Sequence, residues 1–149
     1  MDSPVWNPAL GTPSILVVDD TSVVRHSLFR LLSEAGYRVF EAESAIEALE
    51  VLQTARPPIS LVILDVVMPT VGGVDLARMI TDRWPGTGII FMSAYEAQVL
   101  VREGLENPRV LFLAKPFTRD ELMARVVAGL EQYHSQTRKP SKQRPSPPT

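Results

Sequence analysis

The sequence predicts an α/β fold: a parallel sheet with helices on both faces. Three observations carry this. Short apolar, β-branched runs recur at roughly 25-residue spacing, segments of helical periodicity fill the intervals, and Gly, Pro and capping residues mark the joins. Strands joined through helices run parallel, with right-handed crossovers.

Residues 1–13 carry Pro4, Pro8 and Pro13 without periodicity and read as a flexible lead-in to a domain spanning 14–134. ILVVD (15–19) has the look of a strand buried on both faces. Asp20 or Thr21 caps a helix whose apolar residues Val24, Leu28, Leu31, Leu32 and Ala35 recur at helical spacing, and Gly36 ends it. YRVFEAE (37–43) is a second strand, polar enough to lie near an edge. Ser44 and Glu47 form a capping box ahead of Ile46, Ala48, Leu49 and Leu52, and Pro57-Pro58 breaks that helix. SLVILD (60–65) repeats the buried-strand pattern; Val66–Gly73 is a loop marked by Pro69 and Gly72-Gly73, and a helix follows to about Trp84-Pro85-Gly86. TGIIFMS (87–93) is strand four, 96–106 is a weakly patterned helix closed by Pro108, and RVLFLA (109–114) is strand five. Thr118 with Glu121 opens a last amphipathic helix through about Tyr133, and residues 135–149 form a basic, Pro-rich, disordered tail.

Composition bounds the function. A chain of 149 residues with 45% apolar content suits one packed domain. No apolar run approaches the ~18–20 residues of a membrane span, and no secretory signal is visible, so a cytoplasmic protein is expected. The absence of Cys excludes disulfides, thiol catalysis and thiolate metal sites; His26 and His134 alone cannot build a multi-histidine site. Residues 1–134 hold eleven basic and seventeen acidic side chains, net −6, which argues against nucleic-acid binding by the domain itself. The tail carries Arg138, Lys139, Lys142 and Arg144 without an acid.

In such folds ligands sit at the carboxyl ends of the strands. Strand one ends at Asp19-Asp20, strand three at Asp65, strand four at Ser93 and strand five at Lys115-Pro116. Three carboxylates a few ångströms apart repel by about 4 kcal/mol per pair at an effective dielectric near 20, and a divalent cation relieves this. All-oxygen donors favour Mg²⁺ or Mn²⁺. One carboxylate can then act as a nucleophile toward a phosphoryl group whose oxygens Ser93 and Lys115 bind. Each residue alone has a plainer reading: Asp20 or Ser93 as a helix cap, Lys115 as a solvated loop residue. Yet Lys115 is the only lysine in residues 1–134, beside ten arginines, and the polar residues fall together on four of five strand ends.

On the stretches ILVVDD, LVILDVVMPTVGG, IIFMSA and LFLAKPFTRDEL, residues 14–133, about 80% of the chain, resemble the receiver domain of two-component response regulators. The segment from strand four onward is also similar to receivers appended to hybrid sensor kinases. The resemblance implies a flavodoxin-like (βα)5 doubly wound sandwich with strand order 2-1-3-4-5. It implies Asp65 as phosphoacceptor, and Mg²⁺ held by Asp20 directly, by Asp19 mostly through water, by Asp65 and by the Val67 backbone carbonyl. Ser93 and Lys115 would contact the phosphoryl oxygens, Lys115-Pro116 would be a cis peptide, and Ser93 and Phe112 would form the switch. Val67 and Tyr95 would tune dephosphorylation. The implied donor is a sensor histidine kinase or a histidine phosphotransfer protein, docking near Val23, Ser27 and Pro116-Phe117. A downstream protein target and a phosphorylation-dependent homodimer belong to the same expectation, as does the absence of catalysis on outside substrates.

Competing classes fare worse. Aspartate-nucleophile phosphatases need a second Asp two residues after the nucleophile, where this chain has Val67. A flavodoxin-type cofactor site would face phosphate repulsion from Asp19-Asp20. A phosphorylation-independent interaction domain on this fold is the remaining alternative, against which Asp65, Ser93 and Lys115 argue. Nothing suggests a helix-turn-helix output domain, so a single-domain regulator or a piece of a larger protein is expected.

Overall fold

Strands that are apolar on both sides of the pleat must be covered on both sides, and this decides the architecture. The computed structural model of the protein describes residues 11–68, 71–93 and 110–138; the helix expected at 96–106 lies outside them. Strands β1 (Ser14–Val18), β2 (Arg38–Ala42), β3 (Leu61–Asp65), β4 (Gly88–Ser93) and β5 (Val110–Ala114) form one parallel sheet in the order β2-β1-β3-β4-β5. The helices among the described residues are α1 (Ser22–Glu34), α2 (Ala45–Thr54), α3 (Gly73–Arg83) and α4 (Arg119–Arg138). Every residue of β1, β3 and β4 is buried, whereas β2 and β5, at the edges, are only partly so. The polar β2 takes the edge, as its composition predicts.

The sheet separates two apolar layers. On one face Leu16, Val18, Val62, Leu64 and Phe91 pack under α2 and α3. On the other, Ile15, Val17, Ile63, Ile90 and Met92 pack under α1 and α4, which contribute Leu28, Leu32, Leu122, Val126 and Leu130. This is the doubly wound α/β fold.

Local signals operate largely as expected. Glu47 N–H donates to Ser44 Oγ at 3.2 Å, though the Glu47 carboxylate reaches back to the Glu43 N–H, at 2.9 Å. The Thr118–Glu121 box is fully reciprocal, with bonds of 2.9 and 3.0 Å. Gly36 has φ +100°, the left-handed conformation that lets it end a helix.

Three expectations need correcting. Thr21 is the N-cap of α1, but its side chain makes no capping bond; its N–H instead binds the Asp19 carboxylate. Ile46 does not join the inward face of α2 and is 68% exposed, because Ala45, Ala48 and Leu52 form the row that meets the sheet. Helix α4 continues past Tyr133 to Arg138, so residues 135–138, read as the start of the tail, are helical. Between Tyr133 and Pro140 the sequence holds no Gly or Pro to stop the helix.

Candidate functional site

Strand ends deliver the polar residues to one rim, and main-chain hydrogen bonds carry the lateral order of the sheet one step beyond the strands. Asp19 N–H donates to the Ala42 carbonyl (3.1 Å), Val66 N–H to that of Met92 (3.1 Å) and Lys115 N–H to that of Ser93 (2.9 Å). Asp65 pairs with Met92 in the β3–β4 register, and Ser93 with Ala114 in β4–β5. Asp19, Asp65 and Ser93 are buried, and Asp20 is exposed.

At this rim one oxygen each from Asp19, Asp20 and Asp65 lies within 4.8 Å of the others. Lys115 Nζ donates to Asp65 Oδ2 at 3.1 Å and stands 3.7 Å from Asp19 Oδ2. The other Asp65 oxygen, Oδ1, accepts the Val67 N–H at 3.0 Å, and Asp19 Oδ1 accepts the Thr21 N–H at 2.8 Å. Burial raises the Asp19 carboxyl above the usual carboxylate range; the Thr21 N–H and Lys115 oppose this, while Asp65 and Asp20 add to it.

Asp19 Oδ2 is fully buried and has no hydrogen-bond partner. A buried oxygen without a hydrogen bond, beside two further carboxylates and with no nitrogen or sulfur donor among the three, fits a hard divalent cation such as Mg²⁺. A held carboxylate beside an ammonium also suits phosphoryl chemistry, in which positioning and charge neutralisation supply most of the catalysis.

The remaining residues singled out from sequence fall around this centre. Val67 is 56% exposed beside Asp65, and Lys115-Pro116 is a cis peptide, as is Arg56-Pro57, which sequence reasoning did not anticipate. Phe112 stacks on Phe91 with ring centroids 6.1 Å apart, and its carbonyl accepts from Arg125 Nε. Tyr95 lies outside the described residues. Val23, Val24, Ser27, Lys115, Pro116 and Phe117 line a groove of about 430 Å³ that opens beside the acidic centre.

Two further features went unread in the sequence. Gly73 begins α3 where any side chain would strike the Asp65 carbonyl oxygen and come within 2.8 Å of Val66 Cα. Only glycine lets α3 start this close to the end of β3. Arg25 and Glu41 form an ion pair at the rim, with Arg25 also donating to the Asp19 carbonyl. A signal was available for Arg25: a cation at the fourth residue of a helix opposes the helix dipole and so calls for another explanation.

Comparison with known proteins agrees with this geometry. Residues 15–127 match the model of the response regulator receiver domain. Over 116 residues the chain is 38% identical to the response regulator MprA of Mycobacterium sp. (strain KMS), covering 78% of this chain and 50% of that protein. Over 121 residues it is 35% identical to the sensor kinase CckA of Brucella abortus (strain 2308), covering 81% of this chain and 13% of that one. It thus spans half or less of these curated relatives. Among solved structures, the signal receiver domain of an HD domain-containing protein from Pseudomonas fluorescens Pf-5 superposes with a TM-score of 0.76 at 29% identity, covering 83% of this chain and 98% of that one.

Proposed function

Because the chain belongs to the response regulator receiver domain family, we propose that it takes a phosphoryl group onto Asp65 from a phosphohistidine of a sensor kinase or histidine phosphotransfer protein. The phosphorylated state then alters binding to a downstream protein or to a second copy of the domain. The observation that carries this reading is the Asp65 carboxylate, buried at the end of β3 and held through both oxygens by Val67 N–H and Lys115 Nζ.

In the transfer, an Asp65 oxygen attacks phosphorus as the phosphorus–nitrogen bond to the donor imidazole breaks. The bonding pair returns to the ring nitrogen, which takes a proton, and Asp65 becomes an acyl phosphate. Asp19, Asp20, Asp65 and the Val67 carbonyl would hold Mg²⁺, or Mn²⁺ in its place, which supplies charge neutralisation for the phosphoryl oxygens. Lys115, already against Asp65, supplies a second positive charge, and the Ser93 hydroxyl binds another phosphoryl oxygen. Ser93 and Phe112 form the switch, two strand positions joined through the β4–β5 pairing. Val67 and Tyr95 set how easily water reaches the acyl phosphate; Val67 has no group with which to orient it. The groove beside Pro116 and Phe117 receives the donor, because it is lined by Lys115, whose Nζ bonds Asp65. The domain so defined begins at residue 14, runs through α4 and works in the cytoplasm; among the described residues no helix is long and apolar enough to cross a membrane.

The test is direct. Incubation with acetyl phosphate and Mg²⁺ adds one phosphoryl group by intact-mass spectrometry, stable to acid and labile to base, and Asp65→Asn abolishes it. Stoichiometric phosphate on the Asp65→Asn protein overturns the assignment.

A further inference from the structure

One ion pair at the rim takes no part in the steps above. Arg25, the fourth residue of α1, has a side chain only 12% exposed. A cation at this end of a helix works against the dipole, and taking an ion pair out of water carries a desolvation cost. Helix stability therefore does not account for it.

Its contacts do. Nη1 donates to the Asp19 carbonyl at 2.7 Å, while Nε donates to Glu41 Oε1 on β2 at 3.1 Å. His26 Nε2 stands 3.7 Å from the same Glu41 oxygen. The Asp19 carbonyl belongs to the peptide group that leads into Asp20. Asp19 is thus fixed at its N–H by Ala42, at its carboxylate by Thr21 and at its carbonyl by Arg25. The first two bonds do not restrain the plane of the Asp19-Asp20 peptide as directly as the third. Without it, mutual repulsion of the carboxylates favours rotation of Asp20 away from Asp65.

We propose that Arg25, braced by Glu41, is a positioning residue that locks the Asp19-Asp20 peptide and so holds the two carboxylates together before a cation arrives. The inference rests on the receiver reading of the site. It has a signature that charge alone reverses: removing a cation near the site should tighten Mg²⁺ binding, whereas removing a positioning bond should weaken it.

Calorimetric titration of the full chain with Mg²⁺ separates these. Arg25→Ala is expected to raise the Mg²⁺ Kd about tenfold, equivalent to about 1.4 kcal/mol. Arg25→Lys, which keeps the charge but not the two-pronged geometry, is expected to raise it about threefold. With acetyl phosphate, the Mg²⁺ concentration for half-maximal phosphorylation should rise in step, while the rate at saturating Mg²⁺ stays within about twofold of wild type. Equal or tighter Mg²⁺ binding by folded Arg25→Ala overturns the proposal. If that variant does not fold, Arg25→Lys decides, and an unchanged Kd there overturns it. A wild-type protein that binds no Mg²⁺ overturns the receiver reading itself, and this inference with it.

Discussion

Replacing Asp19 by Asn should stabilise the metal-free protein at neutral pH. Asn keeps the shape and can still accept the Thr21 N–H bond now made at 2.8 Å. What disappears is a buried negative charge among like charges. At an effective dielectric near 20, each carboxylate pair at the 4.8 Å bound is repulsive by about 3.5 kcal/mol, and the Lys115 contact at 3.7 Å attractive by about 4.5 kcal/mol. After discounting the exposed Asp20, the balance favours the amide by about 1–2 kcal/mol. Urea unfolding in EDTA at pH 7.5 should therefore show the midpoint of Asp19→Asn higher by about 0.5–1 M. The pH dependence has a definite sign. Burial raises the folded-state value of Asp19 above its unfolded value of about 3.9, so the folded protein binds this proton more tightly. Stability then falls as pH rises from about 4 through the folded-state value, and the variant lacks that part of the fall. The two proteins should differ little at pH 4 and diverge toward neutrality. A variant midpoint equal to or below wild type at pH 7.5, or a gap that does not widen with pH, would refute the electrostatic account.

Further outcomes follow from other contacts. Gly73→Ala forces a methyl against the Asp65 carbonyl and to 2.9 Å from Leu64 Cδ1, and should cost about 2–3 kcal/mol in chemical denaturation; an unchanged midpoint would show that α3 can shift freely. Val23→Glu combined with Ser27→Arg should slow transfer from a cognate phosphohistidine partner by about tenfold while leaving acetyl phosphate labelling unaltered; unchanged transfer removes the proposed docking face. Val67→Asn with Tyr95→Glu should speed loss of the Asp65 phosphate by about tenfold, about 1.4 kcal/mol of barrier, measured as decay of the phosphorylated mass; decay no faster than wild type removes both residues from control of its lifetime.

The sheet and the acidic rim were legible because their determinants are local. Short β-branched runs such as Ser14–Val18 and Leu61–Asp65, bounded by turn and capping signals, read as doubly covered strands, and a polar residue ending such a run falls at the rim by geometry alone. Ile46 misled because helical spacing defines an apolar face only to within a neighbouring position, and here Ala45 lies on the row that meets the sheet. The tight start of α3 at Gly73 and the partner of Arg25 were hidden for a different reason: a cation in the first turn of α1 signals that it has a task, not that Glu41 on β2 meets it. Both depend on how closely separate elements approach: α3 against the end of β3, and α1 against a β2 position that pairs with Val17. No periodicity within one element encodes such distances.

The rim is fastened mainly through its peptide groups, and this separates reactivity from architecture. Since the bonds from Asp19, Val66 and Lys115 to the neighbouring strands run between main-chain atoms, they survive any change of side chain that leaves the backbone in place. The chain can therefore exchange one reactive group for another, or lose it, and still present the same ledge of strand ends. A version without the reactive side chains would keep the shape of the rim. The Asp19 carbonyl is the exception, since it is held by the Arg25 side chain. There a single side-chain substitution reaches the backbone of the rim itself.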